Sequence, residues 1–226
     1  MTERVAVITG GLGVLGGAVA QAARARGLRT AVIDSAPAAD TPGEALVLAG
    51  VDLTDARQAA EAMAAVTARL GRIDALLNIA GTFRWTTLED SDPGVWEMLF
   101  RVNVQTAANA ARAALPALRA APAGRIVNVG ARAAERADAG TGPYAASKSG
   151  VHRLTESLAR ELEATAITVN AVLPSIIDTP QNRADMPSAD FDRWVKPADL
   201  AEVILFLASV EARAITGALV QVAGRV

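Results

Sequence analysis

Apolar positions along this chain follow two alternating patterns. Short runs of mostly apolar or β-branched residues are separated by longer stretches in which apolar residues recur every three or four positions. The first pattern is typical of buried β-strands, and the second of helices with one buried face. The short runs predict strands at Val5–Thr9, Arg29–Asp34, Ala45–Val51, Ala75–Ile79, Arg125–Val129, Thr168–Leu173 and Ala218–Val222.

The alternation of strand and helix predicts one parallel sheet with helices on both faces. Parallel strands need crossover helices and are buried on both sides, which explains why these strands are apolar along their whole length. The intervening segments carry the required apolar stripe, for example at Ala59, Met63, Val66 and Leu70. We therefore expect an α/β, Rossmann-type doubly wound fold of about seven strands, as a single domain over residues 1–226.

One stretch fits neither pattern. Residues 175–196 lack a clear period and contain two prolines, so we expect a long loop, with or without a short helix. Loops of this length in compact domains are usually functional. This one follows a strand at the carboxyl edge of the sheet, where α/β proteins bind ligands, so it is a candidate substrate lid.

Composition and charge exclude several classes of function. The formal net charge is −2 and arginines are scattered, so no basic face for nucleic acid is expected. No run approaches the roughly 20 apolar residues of a membrane span, and the first residues lack a signal-peptide pattern, so we expect a cytoplasmic protein. There is no cysteine, and no cluster of histidine and carboxylates has ligand spacing, so no metal site is expected.

A glycine-rich turn follows the first predicted strand. Gly11, Gly13 and Gly16 form a G-x-G-x-x-G pattern, which lets a pyrophosphate approach the backbone and the free N–H groups of a helix. Asp34 ends the second strand, where a carboxylate accepts hydrogen bonds from the adenosine ribose and repels a 2′-phosphate. Ser35 follows it, with no adjacent cation. The sequence therefore predicts NAD(H), favoured over NADP(H).

A tyrosine and a lysine lie four residues apart. Tyr144 is the only tyrosine and Lys148 one of two lysines, and a helix beginning near Pro143 places both on one face. A nearby ammonium lowers the pKa of a phenol and eases proton transfer. Such a pair alone is equally typical of a helix surface. Together with the nucleotide turn, it predicts an active site.

These motifs together resemble the short-chain dehydrogenase/reductase family over essentially the whole chain. The resemblance implies that Tyr144 is the general acid. It implies that Lys148 holds the nicotinamide ribose and depresses the tyrosine pKa, and that Asn103 organises a water relay to the lysine. In the family's coenzyme turn, Val14 stands where glycine is more frequent.

The same resemblance implies a set of cofactor contacts. They are Gly10, Gly11, Gly13 and Leu15 in the turn, Asp52 and Leu53 near the adenine, Asn78, Ala80 and Gly81 beside the ribose, Tyr144 and Lys148, and Pro174, Ile177 and Thr179 beside the nicotinamide amide. Ser175 replaces the glycine that usually follows the proline.

The family's serine is absent. It normally lies thirteen residues before the tyrosine, and that position is Ala131. Serine orients a ketone by hydrogen bonding to its oxygen, so its loss favours a substrate positioned in another way. One branch, the quinonoid dihydropteridine reductases, works without this serine and reduces a conjugated C=N system with NADH. The stretch "GARAA" and the loop segment Asp178–Trp194 resemble that branch, whereas "GTFRW" does not.

We therefore expect an NADH-dependent oxidoreductase that reduces a C=N or C=O group of a small molecule, with dihydropteridine reductase as its nearest type. Two alternatives stay open: an ordinary ketoreductase or alcohol dehydrogenase that tolerates alanine at residue 131, and a non-catalytic NAD(H)-binding protein. By resemblance, copies pair as a homodimer or homotetramer through helices near Val102–Leu118 and Tyr144–Glu163.

Seven further side chains are candidates for the site or its surroundings. Aromatic and thioether side chains either line an apolar pocket or pack down the loop; these are Trp85, Met186, Phe191 and Trp194. His152 is expected at the surface or in an interface rather than in catalysis. We assign no role to Arg132 or Arg183.

Overall fold

The computed structural model describes residues 3–37 and 43–226, so Met1, Thr2 and residues 38–42 of the predicted domain lie outside the described residues. Every apolar run predicted as a strand forms one, with ends that differ by at most three residues from the prediction. The strands are β1 (Val5–Thr9), β2 (Arg29–Ile33), β3 (Leu46–Leu48), β4 (Ala75–Asn78), β5 (Arg125–Val129), β6 (Thr168–Pro174) and β7 (Leu219–Val222).

The strands form one sheet in the order β3-β2-β1-β4-β5-β6-β7, and all neighbouring pairs are parallel. The chain runs outward from β1 to β3 and then returns to β4 on the other side of β1. At such a switch point, the carboxyl ends of the two central strands border a crevice that binds ligands. The hydroxyl of Thr9 accepts the N–H groups of Ile79 and Ala80 at 3.1 and 3.2 Å, which ties the two strand ends together.

Helices cover both faces of the sheet. They are α1 (Val14–Ala25), α2 (Ala56–Leu70), α3 (Pro93–Phe100), α4 (Thr106–Ala120), α5 (Gly142–Glu161), α6 (Pro180–Asp185) and α7 (Pro197–Leu207). Alternate residues of β1 enter different cores: Val5 and Val7 pack with α2, α4 and α5, and Ala6 and Ile8 with α1 and α7. The predicted doubly wound fold is confirmed. None of the helices in the described ranges has the length and hydropathy needed to cross a membrane.

The predicted loop 175–196 contains α6 and a 3₁₀ turn at Phe191–Arg193. Ile177 and Val195 form a parallel bridge that closes its base. The Asp178 carboxylate accepts hydrogen bonds from Arg183 at 2.5 and 2.9 Å and from Lys196 at 2.9 Å. The segment therefore has a defined shape at the carboxyl end of β6.

Candidate active site

The glycine turn after β1 is packed too closely to admit side chains. A β-carbon at Gly11 would lie 2.6 Å from the Val32 side chain, and one at Gly16 would lie 2.6 Å from the Gly11 Cα. Gly10 has a φ of +66°, and a β-carbon there would lie 2.8 Å from the Ala80 Cα. The turn consequently lies flush against β2 and the end of β4.

α1 begins at this turn without a capping side chain, because its N-cap residue is Gly13. The N–H groups of its first turn have no partner within the helix and carry the positive end of the helix dipole. This bare helix terminus and the side-chain-free turn fit a dinucleotide pyrophosphate. Leu15, by contrast, is buried and packs in the core, so only its backbone is available to a cofactor.

Asp34 is held beside the same turn. Its carboxylate accepts the N–H groups of Leu12 and Ala36, both at 2.9 Å. The Gly10 N–H donates to the Ile33 carbonyl at 2.8 Å, which joins the turn to the end of β2. The carboxylate is thus fixed next to the predicted pyrophosphate site, with further lone pairs available to ribose hydroxyls.

The structure brings Tyr144, Lys148, Asn103 and Gly81 together. α5 begins at Gly142, so Tyr144 lies in its first turn, half-buried with its ring edge-to-face against Phe83 at 4.9 Å between centroids. Lys148 is buried and donates from Nζ to the Val129 carbonyl at 2.8 Å. A β-carbon at Gly81 would lie 3.2 Å from that Nζ and 2.9 Å from the Asn103 Oδ1.

Burial shifts both pKa values toward the neutral forms. It raises the pKa of Tyr144 to about 12 and lowers that of Lys148 to about 8. In the protein without cofactor, the pKa of Tyr144 thus lies above its ordinary value, in the direction opposite to the depression that the resemblance implies, because the phenolate loses water on burial. The phenol is protonated at neutral pH, as a proton donor must be.

Asn103 lies in a π-helical turn, Arg101–Gln105, between α3 and α4. Its Oδ1 accepts the Thr82 N–H at 2.8 Å, and its Nδ2 donates to the Thr82 carbonyl at 3.1 Å and to the Ser147 hydroxyl at 2.9 Å. Ser147 in turn donates to the Tyr144 carbonyl at 2.7 Å. Asn103 thus ties the segment after β4 to the tyrosine helix, and its role in a water relay stays a prediction.

Several predicted cofactor residues direct their side chains into the protein. Leu53 is buried in the core, and its carbonyl accepts a hydrogen bond from Asn109 at 3.0 Å. Asn78 is buried and donates to the Asn128 Oδ1 at 2.9 Å. Leu53 can therefore meet a cofactor only through its backbone, whereas the Asn78 Oδ1 is buried without a hydrogen-bond partner among the described residues. Asp52 is exposed, and its Oδ1 accepts the Thr54 N–H at 2.8 Å.

The residues predicted beside the nicotinamide lie at the start of the loop. Pro174 ends β6, while Ile177 and Thr179 are half-buried. The Thr179 hydroxyl accepts the Asn182 N–H at 3.2 Å and so caps α6. Ala80 is half-buried against Gly10. Their proximity to a nicotinamide stays a prediction.

Some of the aromatic residues pack the loop 175–196, and another is available to line a pocket. Trp194 is buried and its ring packs on Phe191 at 4.8 Å, while the Arg183 guanidinium lies 4.6 Å above the Phe191 ring. These residues pack the loop onto itself. Trp85 is 59% exposed and lies against Gly140, so its indole is accessible to a ligand.

His152 is the functional candidate that sequence reasoning missed. It is buried, so its expected place at the surface is wrong, and its Nε2 accepts the Ala131 N–H at 3.4 Å. The ring has room because the neighbouring residue is Gly130. The spacing of four from Lys148 places His152 on the same helical face as Tyr144 and Lys148, but does not specify its contact with Ala131.

Comparisons with known proteins identify the family of this chain. The family model for the short chain dehydrogenase matches residues 4–189. The chain is 34% identical to cis-4-hydroxycyclohexanecarboxylate dehydrogenase of Sinomonas cyclohexanicum, over 98% of this chain and 96% of that protein. It is 30% identical to acetoacetyl-CoA reductase of Shinella zoogloeoides, over 98% of both. It is 31% identical to the 3-oxoacyl-[acyl-carrier-protein] reductase of Vibrio harveyi, over 98% of this chain and 96% of that protein.

The structural comparison agrees. Ligand-free aldohexose dehydrogenase of Thermoplasma acidophilum superposes with a TM-score of 0.90 at 25% identity, covering 98% of this chain and 93% of that one. These relatives are dehydrogenases and reductases of ordinary hydroxy and oxo compounds. They do not support the dihydropteridine reductase-like branch. The chain therefore belongs to the short-chain dehydrogenase family, a family of oxidoreductases that use a nicotinamide cofactor.

Proposed function

We propose that this protein is an NAD(H)-dependent oxidoreductase that interconverts a hydroxyl and a carbonyl group on a small molecule. The observation that carries the proposal is the pair of half-buried Tyr144 and buried Lys148, which lies beside Gly81 and Asn103 and near a glycine turn that fits a dinucleotide. The similar enzymes named above act, by their names, on hydroxy or oxo compounds, which supports the same class of reaction.

The nicotinamide supplies or accepts the hydride when it is bound. The protein's part is to manage the proton. During reduction, the Tyr144 phenol gives its proton to the substrate oxygen, which gains a negative charge as the carbon is reduced. The Lys148 ammonium stabilises the phenolate that is left, because opposite charges attract strongly in a site with little water. In the oxidative direction, the phenolate takes the proton back from the hydroxyl.

Asp34 supports the preference for NAD(H). Its carboxylate is fixed by Leu12 and Ala36 at the edge of the turn, so it cannot easily move away from a ligand bound there. A 2′-phosphate at that place would meet a negative charge, whereas ribose hydroxyls would find an acceptor. The pairing of copies through α4 and α5 stays a prediction of the family resemblance.

The decisive test is NADH oxidation with a panel of ketones, 3-oxoacyl thioesters and a quinonoid dihydropterin. Turnover with the ketones or thioesters is the expected result. The Tyr144→Phe variant should lose about 10²-fold or more of kcat, since a positioned general acid contributes that much. Phenylalanine keeps the ring packed against Phe83 and loses at most one hydrogen bond to the cofactor, so the Kd for NADH, measured by fluorescence titration, should rise by no more than about tenfold. Wild-type activity in Tyr144→Phe would refute the assigned role.

A second candidate is reduction of a conjugated C=N group, as in the dihydropteridine reductases. It is favoured by Ala131, which offers no hydroxyl to orient a ketone, and by the resemblance of the loop Asp178–Trp194 to that branch. The panel separates the two, because turnover confined to the quinonoid dihydropterin would select this candidate. Binding of NADH without turnover of any substrate would select the non-catalytic alternative.

A further inference from the structure

α5 presents three polar side chains at intervals of four residues, namely Tyr144, Lys148 and His152. Residues at this spacing lie on one face of a helix. Two of them bind the chain where β5 ends: Lys148 donates to the carbonyl of Val129, the last residue of β5, at 2.8 Å, and the His152 Nε2 accepts the Ala131 N–H at 3.4 Å. The helix therefore holds the backbone on either side of Gly130.

The imidazole occupies a place that only glycine leaves free. A β-carbon at Gly130 would lie 2.5 Å from the His152 Nε2, 2.7 Å from its Cδ2 and 3.3 Å from the Leu173 side chain. Real side chains do not approach so closely, so any larger residue at 130 would displace the ring. His152 itself is 3% exposed, which leaves it little room to move elsewhere. Gly130 and His152 thus form a matched pair.

The contact requires a neutral imidazole. A ring nitrogen accepts a hydrogen bond only when it carries no proton, so the proton of His152 lies on Nδ1. Burial lowers the pKa of His152, which keeps it neutral at physiological pH. Charged groups that act on the ring are Glu135, beyond the turn that follows Ala131, and Lys148, Arg153 and Glu156 of α5.

His152 is too far along the helix to touch the reacting atoms beside Tyr144. Eight residues at about 1.5 Å of rise each separate the two by about 12 Å along the helix axis. The contact through which it reaches the site is the backbone at Ala131, which is buried and extended and stands at the position of the family's serine.

We propose that His152 is a positioning residue, which fixes the peptide at Ala131. The backbone at this residue is the wall of the site against which the substrate is oriented next to Tyr144. In this protein, a hydrogen bond to the backbone holds the wall in place, and no serine hydroxyl orients the substrate from it. The inference rests on the proposed oxidoreductase function for its catalytic consequence. Its structural part, the anchoring of the Ala131 amide, does not depend on the substrate.

The test compares two replacements of the histidine. His152→Leu removes the acceptor, and His152→Gln keeps an acceptor near the position of Nε2. A misplacement of about 1 Å can cost 10²-fold, so we expect kcat/KM in His152→Leu to fall about tenfold to a hundredfold. His152→Gln should restore it to within about threefold of wild type, as one hydrogen bond is regained. Gly130→Ala displaces the ring by an independent route and should resemble His152→Leu.

A matched control shows whether the loss is specific to this contact. Asn170 lies in β6, is fully buried, and its Oδ1 accepts the Ala218 N–H at 3.0 Å. Asn170→Leu also removes a buried acceptor of a backbone amide, yet should leave kcat/KM within about twofold of wild type because it does not touch the Ala131 amide. Equal losses of kcat/KM in Asn170→Leu and His152→Leu would overturn the proposal.

Amide hydrogen exchange of residues 130–134 provides a readout without substrate. Exchange at Ala131 should be slow in wild type and in His152→Gln, and faster in His152→Leu and Gly130→Ala. Unchanged exchange in His152→Leu would overturn the anchoring. If wild type turns over no member of the substrate panel, the proposed function fails, while exchange still decides whether His152 anchors the wall.

Discussion

Burial sets the protonation of the two side chains on which the proposed chemistry depends. The pKa of Tyr144 lies at about 12 and that of Lys148 at about 8, each shifted by loss of water toward the neutral form. Near neutral pH, the phenol keeps the proton that reduction consumes, and the lysine still carries the charge that stabilises a phenolate. Burial therefore favours the protonated form of Tyr144, and it brings the pKa of Lys148 close to neutral pH.

At Asp34, a single carboxylate is expected to set the choice of cofactor. In Asp34→Ala, the Kd for NADH should rise about tenfold to a hundredfold, because hydrogen bonds to a charged group contribute about 1.5–3 kcal/mol. The Kd for NADPH should change less or fall, since the repulsion of its phosphate is removed. Fluorescence titration with both cofactors measures the ratio.

Asp34→Asn is the matched control for this prediction. It keeps the shape of the side chain and an acceptor for one of the amides of Leu12 and Ala36, but removes the charge. The preference for NADH should weaken in this variant while the turn stays folded. An unchanged ratio of the two dissociation constants in Asp34→Ala would show that another feature selects the cofactor.

Individual residues were predictable from sequence where the chemistry demands a fixed spacing. Tyr144 and Lys148 occupy one helical face because four residues make about one turn, and Asp34 lies beside the glycine turn because β1 and β2 are adjacent. His152 was not predictable in this way. Its contact with Ala131 depends on how α5 packs against the end of β5, and a pattern along the chain does not specify that packing. The tyrosine pKa likewise depends on burial in three dimensions.

At the scale of elements, the glycine turn is the most tightly constrained part of the site. Its glycines have no side chains, so their backbone lies directly against α1, β2 and the end of β4. The turn is therefore compact and also open to a ligand. Gly16 is packed against the turn, whereas a β-carbon at Gly17 would meet only the Gly11 carbonyl, at 3.9 Å. Two adjacent glycines therefore differ in what they contribute.

This difference gives a paired prediction. Gly16→Ala should lower the free energy of unfolding by about 2–3 kcal/mol and abolish detectable NADH binding, because backbone rather than a flexible side chain must give way. Gly17→Ala should leave binding intact and stabilise the protein by up to about 1 kcal/mol, since alanine is the better helix former. Urea denaturation and NADH titration of both variants measure these effects. Equal behaviour of the two would contradict the role of close packing in the turn.

Elements were predictable from sequence where burial dictates a pattern. Parallel strands that are buried on both faces are mostly apolar, and each of the predicted runs contains a strand. Within 175–196, the sequence predicted a loop but not the position of its helical turns. Those turns depend on the Thr179 cap and on Asp178 joining Arg183 to Lys196, which are polar contacts without a period.

At the scale of the whole molecule, the described residues include two buried cations, which lie at opposite ends of one strand. Arg125, at the amino end of β5, donates to the carbonyls of Ser209, Gly124 and Ala166 at 2.8, 2.8 and 3.2 Å. Lys148 lies near the carboxyl end of the same strand and donates to Val129. A buried charge lowers stability unless several hydrogen bonds compensate for its loss of water. The arginine has three such bonds and suits a structural role, whereas the lysine lowers the stability of the fold and is retained at the proposed active site.

The last prediction follows from this contrast. Lys148→Met should abolish turnover but raise the free energy of unfolding by about 1–3 kcal/mol at pH 7, because a buried ammonium is removed. The pKa of Lys148 falls from 10.5 to about 8 on folding, so the cost of the charge is full below pH 8 and disappears as pH rises to 10.5. The stability difference between variant and wild type should therefore shrink over that interval in urea titrations.

Arg125→Met, which removes a cation hydrogen-bonded to three carbonyls, should instead destabilise the protein at every pH. A Lys148→Met protein that is less stable than wild type at pH 7, or a difference that stays constant up to pH 10.5, would show that the buried lysine supports the fold as well as the chemistry.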